Sequence, residues 1–199
     1  MGKALFITGT GTDIGKTYVT GLIVKKLRDA GLGAGYYKAA LSGAETLADG
    51  TLLPGDALHV ARVAGLAAAD TTVSYIYRDA VSPHLAAQIE NRPMDFDKVE
   101  QDYRTAKERT EYLTVEGSGG IICPLRWDNE EHVILDDLVV RLGLSALVVA
   151  DAGLGTINAA VLTAEHLKMR GIPLKGFIFN NWTGGTMQED NVTMVEALT

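Results

Sequence analysis

Short apolar runs alternate along this chain with longer segments in which apolar side chains recur every three or four residues. That is the pattern of a parallel sheet whose strands are buried under crossover helices. The runs predict strands over Ala4–Thr8, Gly35–Lys38, Tyr112–Glu116, Ala146–Ala150 and Leu174–Asn180. Between them, Lys16–Ala30 sets Val19, Leu22, Ile23, Lys26 and Leu27 at near-helical spacing and stops before Gly31, a residue favoured just past a helix end. Asp56–Ala64, Asp97–Arg109, Val133–Leu142 and Thr156–Arg170 predict further helices, the last closed by Gly171 and Pro173. Leu41–Pro54, rich in Gly, Ala, Thr and Ser, reads as a loop, and Tyr75–Arg92 has no decisive period. No repeat or linker divides residues 1–199. The expected architecture is therefore one α/β domain on an open, mostly parallel sheet, with ligands at the carboxyl ends of the strands.

Composition narrows the function classes. The 199 residues include 18 Lys+Arg and 25 Asp+Glu, a formal charge of −7, with 47% hydrophobic and 22% charged positions, ordinary values for a folded protein. An acidic balance without a basic block argues against nucleic acid as a partner. A small phosphorylated ligand stays open, because backbone amides can bind it whatever the net charge. Cys123 is the single cysteine, so no internal disulfide can form, and no Cys/His spacing suggests zinc. Lys3 precedes only the short run Ala4–Ile7, unlike a secretory signal, and no apolar stretch approaches the roughly 18 residues of a membrane span. A cytoplasmic protein without a membrane partner is expected.

The segment Gly9-Thr10-Gly11-Thr12-Asp13-Ile14-Gly15-Lys16-Thr17 joins the first predicted strand to the first predicted helix. Glycines let the backbone wrap its amides around a phosphate, and the helix N-terminus adds positive potential. Lys16 can neutralise terminal phosphate oxygens, and the Thr17 hydroxyl can ligate magnesium. A nucleoside triphosphate fits this inventory, and the fold expected is that of a P-loop NTPase. The spacing departs from G-x4-G-K-[ST]: Gly9 lies one residue early and Thr10 takes the glycine position. A dinucleotide fingerprint fits less well, since Gly9, Gly11 and Gly15 form G-x-G-x-x-x-G and the second strand ends in Lys38 instead of an acid for a ribose hydroxyl. Phosphoryl chemistry is favoured over hydride transfer.

Magnesium-dependent phosphoryl transfer needs carboxylates beside the phosphates. Glu116, before Gly117-Ser118-Gly119-Gly120, and Asp151, after Leu-Val-Val-Ala, both close predicted strands, and Asp56 follows Pro54-Gly55. For each, a helix cap or a surface charge is the alternative, most of all for Asp56 at the start of a predicted helix. Lys38 ends its strand at the same rim as the phosphate loop, where an ammonium can stabilise developing phosphoryl or carboxylate charge. Ser42 suits either a substrate contact or a turn. His84, at a helix start, reads as structural, and Cys123 as a small buried apolar residue.

The ordered set Gly-Thr-Gly-Thr-Asp-Ile-Gly-Lys-Thr, Tyr-Lys-Ala-Ala-Leu-Ser-Gly, Gly-Asp-Ala, Ser-Pro-His-Leu-Ala-Ala, Val-Glu-Gly-Ser-Gly-Gly, Gly-Leu-Gly-Thr-Ile-Asn and Phe-Asn-Asn resembles the dethiobiotin synthetase family through nearly the whole chain. That family's phosphate loop carries the same longer spacing. The resemblance implies an ATP- and magnesium-dependent ligase that joins carbon dioxide, drawn from bicarbonate, to the two amines of 7,8-diaminononanoate in biotin synthesis. By motif position, it implies that Thr12, Asp13, Ile14, Gly15, Lys16, Thr17 and Tyr18 cradle the triphosphate. It likewise implies that Thr17, Asp56 and Glu116 ligate magnesium, that Lys38 is catalytic together with Lys16 and Thr12, and that Thr12 and Ser42 touch the substrate. Gly117, Ser118 and Gly119, with Glu116, would line the nucleotide and carbamate region, and Asn180 and Asn181 would read the adenine edge. The family is a homodimer, and Leu154, Gly155, Thr156, Ile157 and Asn158 resemble its segment that receives the substrate carboxylate from the neighbouring subunit. Asp151 then becomes a supporting residue.

Asp13 stands where the family often has glutamate, and Ala39 where proline often follows the lysine. Thr199 falls before a strand and loop that the family uses around the base, so those contacts cannot be carried over. Two competing readings share the architecture. Regulatory ATPases resembling MinD and ParA carry an additional lysine early in the loop, where this chain has Thr10, Gly11 and Thr12. Amide ligases resembling the cobyrinate synthases are the other.

Overall fold

In the computed structural model, residues 2–199 are described. The chain begins with β1 (Lys3–Gly9), α1 (Lys16–Asp29), β2 (Ala34–Leu41), the small strands β3 (Glu45–Thr46) and β4 (Leu52–Leu53), and α2 (Gly55–Ala64). A 3-10 turn at Ala68–Asp70 leads to β5 (Thr71–Ile76), α3 (Pro83–Ile89), α4 (Phe96–Glu108) and β6 (Tyr112–Glu116). After β7 (Pro124–Trp127) and β8 (His132–Ile134) come α5 (Leu135–Arg141), β9 (Ser145–Asp151), α6 (Thr156–Met169), β10 (Leu174–Asn180) and α7 (Thr186–Leu198).

Six strands form one parallel sheet in the order β10-β9-β1-β6-β2-β5, and the two remaining pairs, β3–β4 and β7–β8, are antiparallel hairpins. The mostly parallel α/β sheet flanked by helices is the one the sequence predicts. β1 sits between β6 and β9, so the chain runs to one side through β2 and β5, returns through β6, and then crosses to the other side through β9 and β10. The reversal opens a crevice at the carboxyl end of β1, the usual position for a ligand in such sheets.

Alternation along each strand divides the core in two. Phe6, Tyr37, Leu113 and Val115 pack with Met94, Phe96, Val99, Tyr103, Leu125 and Leu138 on one face. On the other, Tyr36 packs with Val24, Ala57 and Val60, and Ile7 with Val19 and Val149. All eight residues of β2 are buried, as expected of a strand covered on both faces. Tyr36 and Lys38, two residues apart, therefore share the α1–α2 face, with Tyr37 opposite.

The differences from the predicted elements have local causes. β5 begins within a polar stretch, Thr71-Thr72-Val73-Ser74, that an edge strand tolerates because it pairs on one side only. The predicted helix over 133–142 starts at Leu135, because Val133 and Ile134 pair with β7. The ambiguous stretch holds the end of β5 and α3, and the predicted loop over 41–54 contains the β3–β4 hairpin. α4 gains a cap, Asp95, which accepts from the amides of Asp97 and Lys98 at 2.9 and 3.3 Å. α7, absent from the predicted set, is docked by Asn191, whose Nδ2 donates to the carbonyls of Ala152 and Gly153 at 3.0 Å each.

Candidate active site

The loop between β1 and α1 requires glycine at its end. Gly15 has φ of 88°, a left-handed conformation, and a Cβ there would strike Asn180 Nδ2, which instead donates 2.9 Å to the Ile14 carbonyl. No side chain caps α1, so its first amides stay open toward the loop. Lys16 Nζ donates 2.6 Å to the Gly11 carbonyl, drawing the loop around itself. Burial lowers the pKa of that ammonium and the nearby Lys38 charge lowers it further, against the opposing pull of Glu116, Asp56 and Asp13.

Register brings the other charges to the same rim. Lys38 of β2 lies beside Glu116 of β6, which in turn lies beside Ile7 of β1. Lys38 Nζ donates 2.8 Å to Glu116 Oε1 and 2.6 Å to Asp56 Oδ2, and Thr17 Oγ1 donates 2.8 Å to the same Glu116 Oε1. Lys38 is 4% exposed and Glu116 2%. Burial alone would lower the Lys38 pKa, but the two carboxylates outweigh it and hold the ammonium above its ordinary value. Asp56 is not a cap: Pro54 holds that position without a side-chain bond, and Asp56 sits in the first turn of α2, where the helix dipole favours a carboxylate.

These groups line a cavity of about 420 Å³ together with Thr12, Asp13, Gly15, Ser42, Ser118 and Gly119. Ser118 Oγ donates 2.7 Å to the Ala40 carbonyl, tying the loop after β6 to β2. A Cβ on Gly117 would lie 2.7 Å from Phe6 Cζ, so glycine is required for that loop to approach β1. The cavity therefore presents two ammonium groups, three carboxylates, several hydroxyls and a helix N-terminus, a set suited to an anionic ligand accompanied by a hard cation.

Other predicted positions lie elsewhere in the single chain. Tyr18 is half exposed on α1, and Asn181 Nδ2 donates 2.6 Å to Asp151 Oδ2. Asp151 also accepts from the Gly153 amide, which makes it a support for the turn into α6. Leu154–Asn158 form that turn and the start of α6, outside the cavity, with Leu154 91% exposed. His84 lines a separate groove beside Arg126 and Trp127. Cys123 is buried, and burial pushes its thiol up to about 11 despite Lys16 and Lys38, so it is no ready nucleophile.

Sequence reasoning passed over Tyr36. Its hydroxyl lies 3.3 Å from Glu116 Oε2, and burial, followed by the Glu116 and Asp56 charges, holds the phenol well above its ordinary pKa. The available signal was the two-residue spacing from Lys38, which puts both side chains on one face of β2.

Comparison with known proteins adds the family. A family model described as an AAA domain matches residues 3–199. The ATP-dependent dethiobiotin synthetase BioD of Brachyspira hyodysenteriae is 48% identical over 201 residues, covering 100% of this chain and 89% of that protein. The protein of the same name from Clostridium botulinum strain Loch Maree is 50% identical over 183 residues, covering 92% of this chain and 80% of its own length. Among solved structures, a ParA family ATPase from Chlorobium tepidum aligns with a TM-score of 0.56 at 13% identity, covering 98% of this chain and 81% of that one. The kinase domain of the Escherichia coli tyrosine kinase ETK aligns with a TM-score of 0.55 at 20% identity, covering 93% and 71%. Those two likenesses concern the fold alone. With identity near one half over nearly its whole length and the phosphate-loop cavity described above, the chain belongs to the ATP-dependent dethiobiotin synthetase family.

Proposed function

We propose that this chain joins carbon dioxide to the two amines of 7,8-diaminononanoate and closes the ureido ring of dethiobiotin, consuming ATP. The observation that carries the reading is the meeting of Lys16, Thr17, Lys38, Asp56 and Glu116 around one cavity at the strand ends. One substrate amine adds to carbon dioxide and loses a proton, giving a carbamate. The γ-phosphoryl group passes to a carbamate oxygen, yielding ADP and a mixed anhydride. The second amine attacks the carbonyl carbon, the carbon–oxygen bond to phosphate breaks, and inorganic phosphate and a proton leave. The tethered nucleophile makes the last step effectively intramolecular.

In this reading the backbone from Thr12 to Tyr18 cradles the triphosphate, with Lys16 on its terminal oxygens. Lys38 neutralises charge on the carbamate and the transferred phosphoryl group, the principal assistance a rigid site offers. Thr12 and Ser42 hold the diamine, and the segment Gly117–Gly119 lines the nucleotide and carbamate. Asn180 and Asn181 face the adenine edge, a role supported by the position of Asn180 beside the phosphate loop.

The donor set also fits magnesium. Thr17, Asp56 and Glu116 offer hard oxygens, and the Lys38 ammonium between the two carboxylates is a monovalent stand-in for a cation there. When bound, magnesium would neutralise phosphate charge during transfer.

A homodimer completes the proposal, with Leu154–Asn158 of one subunit receiving the substrate carboxylate at the neighbouring site. The exposed Leu154 and the α6 N-terminus, where a helix dipole favours an anion, support it. A cytoplasmic location goes with this reading.

Purified protein supplied with ATP, magnesium and bicarbonate is expected to release phosphate only when the diamine is added. Diamine-independent turnover stimulated by a protein partner or a membrane would overturn the reading in favour of a regulatory ATPase.

A further inference from the structure

Glu116 is a buried carboxylate whose two oxygens have different partners. Oε1 accepts from Thr17 Oγ1 and Lys38 Nζ, both at 2.8 Å, and both of those residues line the cavity. Oε2 is within reach of one donor among the described residues, the Tyr36 hydroxyl at 3.3 Å, and Tyr36 does not line the cavity. Tyr36 is fully buried, its ring held among Val24, Ala57 and Val60 between α1 and α2. It therefore has little freedom to follow the carboxylate if that group turns. The pleat of β2 aims Tyr36 and Lys38 at the two different oxygens of one acid on the adjacent strand.

Resting on the reading above, we propose that Tyr36 is a positioning residue for the divalent cation: its phenol holds Glu116 Oε2, so that Oε1 stays turned toward Thr17 and the cavity. Without that donor a buried carboxylate oxygen loses its partner and the group gains freedom to rotate. Thr17 and Lys38 still hold Oε1, but nothing then fixes the direction of the second oxygen about that anchor. Residues that hold a metal ligand in this way typically change metal affinity by tenfold or more when altered. Tyr36 is not among the residues that line the phosphate-loop cavity, so nucleotide binding without metal should not depend on it.

The test is Tyr36→Phe in the full chain, with manganese as a paramagnetic probe. Free Mn2+ is measured by electron paramagnetic resonance in the presence of ADP, and ADP binding is measured separately without metal by calorimetry. The expected result is a roughly tenfold loss of Mn2+ affinity. Metal-free ADP affinity should stay within twofold, and the magnesium concentration for half-maximal phosphate release should rise in parallel. Tyr36→4-aminophenylalanine, which keeps an N–H donor at the same place, is expected to restore the Mn2+ affinity. Should Tyr36→Phe fail to fold, Tyr36→4-methylphenylalanine fills the hydroxyl's space without a donor and carries the same expectation. Unchanged Mn2+ affinity in a folded, donor-free variant would overturn the proposal. So would an equal loss of ADP binding with and without metal, which marks a purely structural role. Metal binding is read without turnover. An unmutated protein that binds Mn2+ but releases no phosphate with the diamine would therefore sink the proposed function and leave the role of Tyr36 standing.

Discussion

Lys38 and Glu116 face each other across two paired strands, with Nζ 2.8 Å from Oε1, and both are buried. Removing one member of such a pair leaves the other uncompensated and commonly costs about 3–5 kcal/mol. Asp56 and Thr17 reduce that cost here, because Lys38 and Glu116 each keep a second partner. Lys38→Ala is thus expected to fold with a lowered melting temperature, partly recovered by magnesium. Diamine-dependent phosphate release should fall by about two orders of magnitude or more, as when a single preorganised charge-stabilising donor is lost. Turnover within threefold of the unmutated protein would remove Lys38 from the reacting centre.

Gly15 makes a second point of failure. Gly15→Ala places a side chain in a left-handed conformation, at about 1–2 kcal/mol, and drives it into Asn180 Nδ2. The bond from Asn180 to the Ile14 carbonyl must then break. Calorimetry with ADP is expected to show binding at least tenfold weaker while circular dichroism stays unchanged; normal affinity would show that the loop does not depend on this turn.

Cys123 supplies a test that depends on pH. Burial raises the thiol to about 11, so the folded protein holds it neutral across the physiological range. Iodoacetamide labelling is expected to be slow at pH 8 and to accelerate only toward pH 11. The linkage has a definite sign. Between the ordinary thiol value and 11, the unfolded chain has lost this proton and the folded chain has not, so this group's effect is to lower stability as pH rises. Fast labelling at pH 8 in a folded sample would contradict the buried placement. Cys123→Ser is expected to leave turnover within about twofold, since the thiol's hydrogen bond goes to the Pro124 carbonyl and to no proposed reacting group.

Asn191 tests the support beneath the start of α6. Its buried amide serves the carbonyls of Ala152 and Gly153, which no other side chain among the described residues reaches, although the Thr156 amide also donates to Gly153 at 3.4 Å. Asn191→Ala should destabilise the fold by about 1–3 kcal/mol, the usual consequence of stranding buried polar groups, as read by urea denaturation. A change below about 0.5 kcal/mol would mean that water replaces the amide freely.

The strand–loop–helix around Lys16 was legible because its signals are local: an apolar run, glycines, and a helical period beginning within a few residues. The strand ends at Lys38 and Glu116 were legible for the same reason. The hairpins were not, since two-residue strands such as Glu45–Thr46 carry no period, and β5 is too polar to announce itself without its neighbour. For Asp56 the sequence left a cap and a ligand both open; the fold excludes the cap, because Pro54 holds that position, and sets the carboxylate 2.6 Å from Lys38.

By itself the sequence determined a parallel α/β sheet with a phosphate loop at its first strand end, because periodicity and glycine placement act over ten or fifteen residues. It could not determine that Thr17, Tyr36, Lys38 and Asp56 form one connected set around Glu116. Those residues are separated from it by between 60 and 99 positions and meet through strand order and register. Both are decided by which faces the whole core must bury, and no single segment carries that information.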